Sequence, residues 1–121
     1  MTQHHAIRFV IEIEVSDIEG FKAHAAAATA ISEGEPGTLI YDWYLDESTG
    51  KARLYEAYES FEALGVHAPG RVFTEVAPKL LQTCKFTRVD VFGAPPEVVR
   101  KGIAAVAPPT FWGAPFAAVS G

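Results

Sequence analysis

Cysteine is nearly absent. Cys84 is the single one, so no internal disulfide forms and packing alone must hold the fold. Concentrated positive charge is also missing. The ten Lys and Arg are scattered in a chain of net charge −5, which excludes the clustered cations that phosphate contact with nucleic acid needs. No apolar run reaches the ~20 residues required to span a bilayer. No signal-peptide pattern precedes the first strand. The expectation is a cytoplasmic protein without membrane association. His4 and His5 are adjacent in a short polar N-terminus, His24 and His67 are far from them in sequence, and no Cys-x-x-Cys, His-x-x-x-His or His-Glu-x-x-His spacing occurs, so no metal site is expected. A glycine-rich phosphate loop, a dinucleotide fingerprint and a recognisable Ser-His-Asp or Cys-His triad are lacking too, and no cofactor is expected.

What is present is a single domain's worth of core. A chain of 121 residues, 49% hydrophobic, buries enough apolar surface to fold unaided as one domain over residues 1–121. Ile7 to Val15 (IRFVIEIEV) alternates, which places Ile7, Phe9, Ile11, Ile13 and Val15 on one face of a strand. Ser16 with Glu19 reads as a capping box opening a helix. Ile18, Phe21, Ala25, Ala28 and Ile31 make its apolar stripe, and Gly34 closes it. After the Pro36-Gly37 turn, Thr38 to Leu45 and Lys51 to Glu59 read as two strands joined by the DESTG turn. Ser60 caps a second helix that reaches His67, where Ala68-Pro69-Gly70 interrupts it. A continuation over 71–81 carries Phe73, Val76 and Leu80, with Pro78 kinking or shortening it. Cys84 to Phe92 is a fourth strand. The core ends near residue 92, and 93–121 is an extension with a helical turn or two and an aromatic tail, PPTFWGAPF.

Strand, helix, strand, strand, helix, strand is the ferredoxin-like βαββαβ order of the α+β class. It predicts a four-stranded antiparallel sheet with both helices on one face. The other face stays uncovered, yet every register brings large apolar groups there: Ile40 with Tyr44, or Tyr41 with Trp43; Leu54 with Tyr58, or Tyr55. A water-facing sheet normally shows a polar side, and an exposed apolar patch marks an interface. The expected partner is a second copy, forming a homodimer through the open sheet face. The tail aromatics Phe111, Trp112 and Phe116 either anchor the C-terminus or cover part of this surface.

His67 is the acid/base candidate, because an imidazole titrates near working pH. The alternative is a helix-terminal histidine bonded to backbone or solvent. Glu56 lies mid-strand between Tyr55 and Tyr58. Its structural reading is a cross-strand ion pair with Arg8 or Arg88; its chemical reading is a general base. Trp43, Tyr44 and Tyr58, with Tyr41 and Tyr55, can wall a flat pocket for a planar, aromatic small molecule. Cys84 in its strand reads as a small half-buried residue without an activating base.

The segment EPGTLIYDWYL, a polar turn, and LYEAYESFEALGVH resembles the antibiotic biosynthesis monooxygenase family. The residues that carry the resemblance are Glu35-Pro36-Gly37, the aromatic hairpin, and Glu56, Tyr58, Ser60, Glu62, Ala63, Leu64 and His67. The resemblance implies a dimeric α+β barrel with a pocket between helices and sheet in each subunit. It implies a monooxygenase that oxidises phenols or quinols with O₂ and no cofactor, as some members do; other relatives degrade haem. Tyr58 stands where the family often has Trp, and the first strand lacks the Asn of the haem-degrading relatives. Both differences favour quinol oxidation over haem chemistry. A non-catalytic dimer that binds a small molecule, or a stress-related protein of the same fold, is the alternative.

Overall fold

The computed structural model describes residues 7–67 and 70–119, with side chains at all of these except 65–67. His4, His5, Ala68-Pro69 and the side chain of His67 therefore lie outside the described residues. Strand β1 (Ile7–Val15) runs through the middle of the sheet, and its alternation is the one read from sequence. Ile7, Phe9, Ile11 and Ile13 are buried. Helix α1 (Ile18–Glu33) follows. Its cap differs from the expected one. The Asp17 carboxylate accepts the Gly20 N–H at 3.1 Å, while the Ser16 hydroxyl donates to the Thr83 carbonyl at 3.0 Å. Ser16 is thus occupied by a partner distant in sequence, and its neighbour satisfies the free helix donor.

Strands β2 (Thr38–Asp46) and β3 (Lys51–Tyr58) form the expected hairpin. The Asp46 carboxylate accepts the Ser48 N–H at 3.0 Å and its hydroxyl at 2.6 Å, and Gly50 takes φ 73°, which L-residues with a Cβ avoid. Helix α2 (Phe61–His67) opens with the Ser60 hydroxyl accepting the Ala63 N–H at 3.0 Å. It packs against Gly37, whose φ is 84° and whose missing side chain leaves room for Ala63.

After Gly70 come a π-helical turn (Val72–Val76) and a short helix α3 (Ala77–Leu80). The Ala77 N–H reaches back to the Val72 carbonyl. Pro78 has no N–H to continue an α ladder, and the chain widens by one residue ahead of it.

Strand β4 (Cys84–Gly93) returns antiparallel beside β1. The extension then departs from expectation. It forms a full helix α4 (Glu97–Val106) and a fifth strand β5 (Pro109–Gly113) parallel to β4. The sheet is five-stranded and mixed, in order β2-β3-β1-β4-β5, instead of four-stranded and antiparallel. Pro109 is tolerated because β5 is an edge strand and Pro109 is its first residue. Val99 and Ile103 of α4 pack on the core beside Phe111, whose ring lies 4.2 Å under the Arg100 guanidinium.

The core fills the space between the sheet and the helices. Ala52, Leu54, Val89 and Val91 meet Phe21, Ala28, Ala63, Leu64, Val76 and Leu80 there. On the open face, Glu12 sits between Arg53 at 3.7 Å and Arg88 at 3.9 Å, and Arg88 reaches Asp90 at 2.8 Å. The two Glu12 pairs cross between strands, and the Arg88–Asp90 pair lies along β4. Aromatics flank this row. Tyr44 packs edge-on against Tyr55 with centroids 5.4 Å apart, and Phe92 stacks on Trp112 at 6.3 Å. Among the described residues no helix is long and apolar enough to cross a membrane.

Candidate functional site

Ala52, Leu54, Glu56 and Tyr58 alternate along the helix-covered face of β3 and are all buried. A carboxylate in that row is costly unless it is bonded. The Tyr58 hydroxyl donates to Glu56 Oε1 at 2.5 Å, a short charge-assisted bond. Glu56 thus faces the core, and its bonded neighbour is a phenol. Arg88, one of the ion partners expected for it, instead pairs with Glu12 and Asp90 on the open face.

Tyr41 stands directly opposite Glu56 in the hairpin register, so the two share the core face at cross-strand contact distance. Burial holds the Tyr58 phenol far above its ordinary pKa, with the charge of Glu56 and its hydrogen bond adding to the effect. The same causes, burial first and then Glu56, raise the Tyr41 phenol. The Ser32 hydroxyl lies close enough to oppose that rise slightly without the alignment of a hydrogen bond. Both tyrosines are therefore neutral hydrogen-bond donors at any working pH. The hydroxyls of Ser32 and Thr38 and the indole N–H of Trp43 are buried without a hydrogen-bond partner among the described residues. Buried polar groups are usually bonded, so these three groups have unused hydrogen-bonding capacity.

Beside the cluster, a groove of about 730 Å³ runs between α1 and β2, the edge strand. Small residues of α1, Ala25, Ala26, Thr29 and Ala30, line one wall; Tyr41 and Trp43 line the other. Trp43 is wedged edge-on between Phe21 and Tyr41, with centroids 5.6 and 5.7 Å away. Lys22, Glu33, Asp42 and Glu47 supply polar groups to the lining. Alanine gives a flat wall and aromatic rings give a flat floor, a shape suited to a planar ligand.

The structure brings Glu56 and Tyr58 together and puts Trp43 in the groove. Tyr44 packs on the open face against Tyr55 and also lines the groove. His67 is the last residue of α2, the helix whose Ala63 and Leu64 are buried in the core. Ser32 and Thr38 carry no motif and escaped the sequence reading. Tyr41 was legible: it shares a strand face with Trp43, and the hairpin turn fixes its partner as Glu56. Cys84 is buried with Sγ 3.5 Å from the Leu80 carbonyl, and burial pushes its thiol pKa up, the opposite of activation. Among the described residues, no three His, Cys, Asp or Glu side chains form a metal-binding group.

No family model matches the chain, and no curated protein matches it significantly. Solved structures do share its fold. MupZ from Pseudomonas fluorescens is 20% identical with a TM-score of 0.78, over 96% of this chain and 95% of that one. A protein from Nitrosomonas europaea, named as a candidate antibiotic biosynthesis monooxygenase, is 17% identical with a TM-score of 0.60, over 78% of this chain and 95% of its own. A protein so named from Caulobacter crescentus CB15 is 18% identical with a TM-score of 0.60, over 76% and 92%.

These likenesses show the fold alone: an α+β, ferredoxin-like domain, shared with solved structures that are named antibiotic biosynthesis monooxygenases. Within that fold, this chain adds α4 and β5 to the βαββαβ unit. The match with MupZ spans 96% of this chain, against 78% and 76% for the other two structures.

Proposed function

We propose that this protein is a cofactor-independent monooxygenase acting on an aromatic, quinol-type small molecule, with Glu56 as the group that takes the substrate proton. One observation carries the reading: a carboxylate sits at 8% exposure in an otherwise apolar strand face, braced by a phenol at 2.5 Å. Buried ionisable groups held by a specific partner are concentrated at functional sites. The monooxygenase-type fold supports the same reading. Deprotonation of a phenolic hydroxyl yields an electron-rich phenolate, nucleophilic at ring carbon. That anion gives an electron pair to O₂, and a hydroperoxide forms at carbon. Loss of water then leaves a carbonyl, so one oxygen atom enters the product and the other becomes water. The protein's part is binding, proton transfer and exclusion of bulk solvent. Trp43 is a wall of the site, Tyr58 braces the base, and Tyr44 lines the groove. His67, closing α2, is the second candidate base.

Oxygen uptake with a panel of hydroquinones tests the proposal. The wild type consumes O₂ faster than buffer, and Glu56→Gln loses about 100-fold or more of that rate. The same assay on His67→Gln assigns the base between the two residues. Wild-type rates equal to buffer across the panel remove the reading. A second reading, a non-catalytic protein that holds an apolar small molecule, is favoured by the groove, whose lining omits Glu56 and Tyr58.

We propose that the open sheet face docks a second copy of the chain. Tyr44 is 56% exposed, Tyr55 41% and Trp112 58%, and they flank a row of alternating charges that can meet its own symmetry mate. Tyr55→Glu is expected to convert a dimer into a monomer in sedimentation. A wild type that sediments as a monomer rejects the interface.

A further inference from the structure

Two features lie side by side on neighbouring strands, the groove between α1 and β2 and the buried Glu56–Tyr58 pair on β3. Glu56 does not line the groove, so a ligand lying there does not meet the carboxylate. Tyr41 belongs to both features. It lines the groove, and it is the cross-strand partner of Glu56. We infer that Tyr41 is the relay between them: its phenol oxygen receives the hydroxyl proton of an aromatic ligand seated in the groove, and its own proton passes to Glu56. This inference rests on the reading of Glu56 as the proton acceptor.

The step balances. The ligand O–H breaks and leaves a phenolate. Tyr41 gains one proton and gives one, so it is neutral before and after. Glu56 ends as the carboxylic acid. A phenol suits this role, because one hydroxyl offers a donor and two acceptor positions. The raised pKa of Tyr41 is consistent with it, since burial and the nearby Glu56 charge disfavour a standing tyrosinate. Proton entry and proton exit are then coupled. The Tyr41 ring is held by edge-on contact with Trp43, with centroids 5.7 Å apart. The relay also selects among ligands: an aromatic with a free hydroxyl bonds to Tyr41, and its methyl ether cannot donate.

The test compares 2-naphthol with 2-methoxynaphthalene by titration calorimetry, alongside oxygen uptake with the hydroquinone panel. Tyr41→Phe keeps the ring that packs on Trp43 and removes only the hydroxyl. Ala30→Trp fills the groove. The wild type is expected to bind the naphthol about 10-fold tighter than the ether, the value of one well-placed hydrogen bond. Tyr41→Phe binds the two equally and loses about 100-fold in oxygen uptake. Ala30→Trp binds neither. A naphthol preference that survives Tyr41→Phe overturns the relay, as do equal wild-type affinities, absent binding, or undiminished binding in Ala30→Trp. Oxygen uptake that falls in Glu56→Gln but not in Tyr41→Phe overturns the relay and keeps the oxygenase reading. A Tyr41-dependent preference without any wild-type uptake does the reverse: it removes the oxygenase and its proton step, and keeps Tyr41 as the ligand contact.

Discussion

Tyr58→Phe removes one oxygen atom from the most enclosed side chain of the site. Tyr58 is fully buried and its hydroxyl bonds Glu56 at 2.5 Å. The ring stays, so its edge-on contact with Phe9 at 6.2 Å is kept and no cavity larger than an oxygen opens. The loss is therefore the hydrogen bond to a buried carboxylate, worth about 1.5–3 kcal/mol. Unfolding entropy near ~2.1 cal/mol/K per residue gives roughly 0.25 kcal/mol/K for a chain of this length. A loss of about 2 kcal/mol then lowers Tm by about 8 °C. Glu56→Gln should cost less, because a neutral amide still accepts from Tyr58 and carries no buried charge. The double variant completes a cycle whose coupling is expected at about 1–2 kcal/mol. Calorimetric or chemical unfolding reads all four proteins. A Tyr58→Phe variant within about 0.5 kcal/mol of wild type, or a coupling of zero, refutes the claim that the phenol braces the carboxylate.

Other outcomes follow from the same geometry. Gly37→Ala forces a side chain onto φ 84° and into Ala63, so unfolding in urea should show a loss of about 1–3 kcal/mol; an unchanged midpoint contradicts the packing of α2 on that turn. Burial raises the Cys84 thiol pKa, and a thiol-reactive disulfide reagent at pH 8 should label it only after denaturation; prompt labelling of the native protein argues otherwise. Burial alone would raise the Asp90 pKa, but bonds from Trp112 at 3.0 Å and Arg88 at 2.8 Å hold it below the usual value. A depressed folded-state pKa gives stability that is present above the ordinary carboxylate pKa and lost as pH falls through the folded value. The Tm difference between wild type and Trp112→Phe should therefore narrow below about pH 4; a constant difference down to acid pH dissociates Trp112 from Asp90.

The elements dictated by local pattern were legible in the residues. Alternation in Ile7–Val15 and the turn chemistry at Asp46–Gly50 gave β1 and the hairpin, while which face of β2 and β3 turns to the core was left open until the helices were in place. What local pattern missed depends on distant partners. Ser16 looked like the better helix cap until Thr83 claimed its hydroxyl. Strand β5 is five residues between prolines and a glycine, and it exists because α4 carries the chain back beside β4. Glu56 looked like half of a surface ion pair because charge usually faces out; the same alternation that paired it with Leu54 and Tyr58 put it in the core. Tyr44 and Trp43 point to opposite strand faces, as alternation requires, yet both line the groove because β2 is an edge strand. Ser32 and Thr38 became visible only when the end of α1 met the start of β2 above the hairpin.

The central claim is that a substrate anion formed by Glu56 reduces O₂ directly. Incubation with ¹⁸O₂ and an accepted phenolic substrate, followed by mass spectrometry of the product, tests it most directly. The account predicts one ¹⁸O atom in the product from wild type and a product yield lowered by about 100-fold in Glu56→Gln. A product without label, or a Glu56→Gln variant that makes labelled product at the wild-type rate, contradicts it.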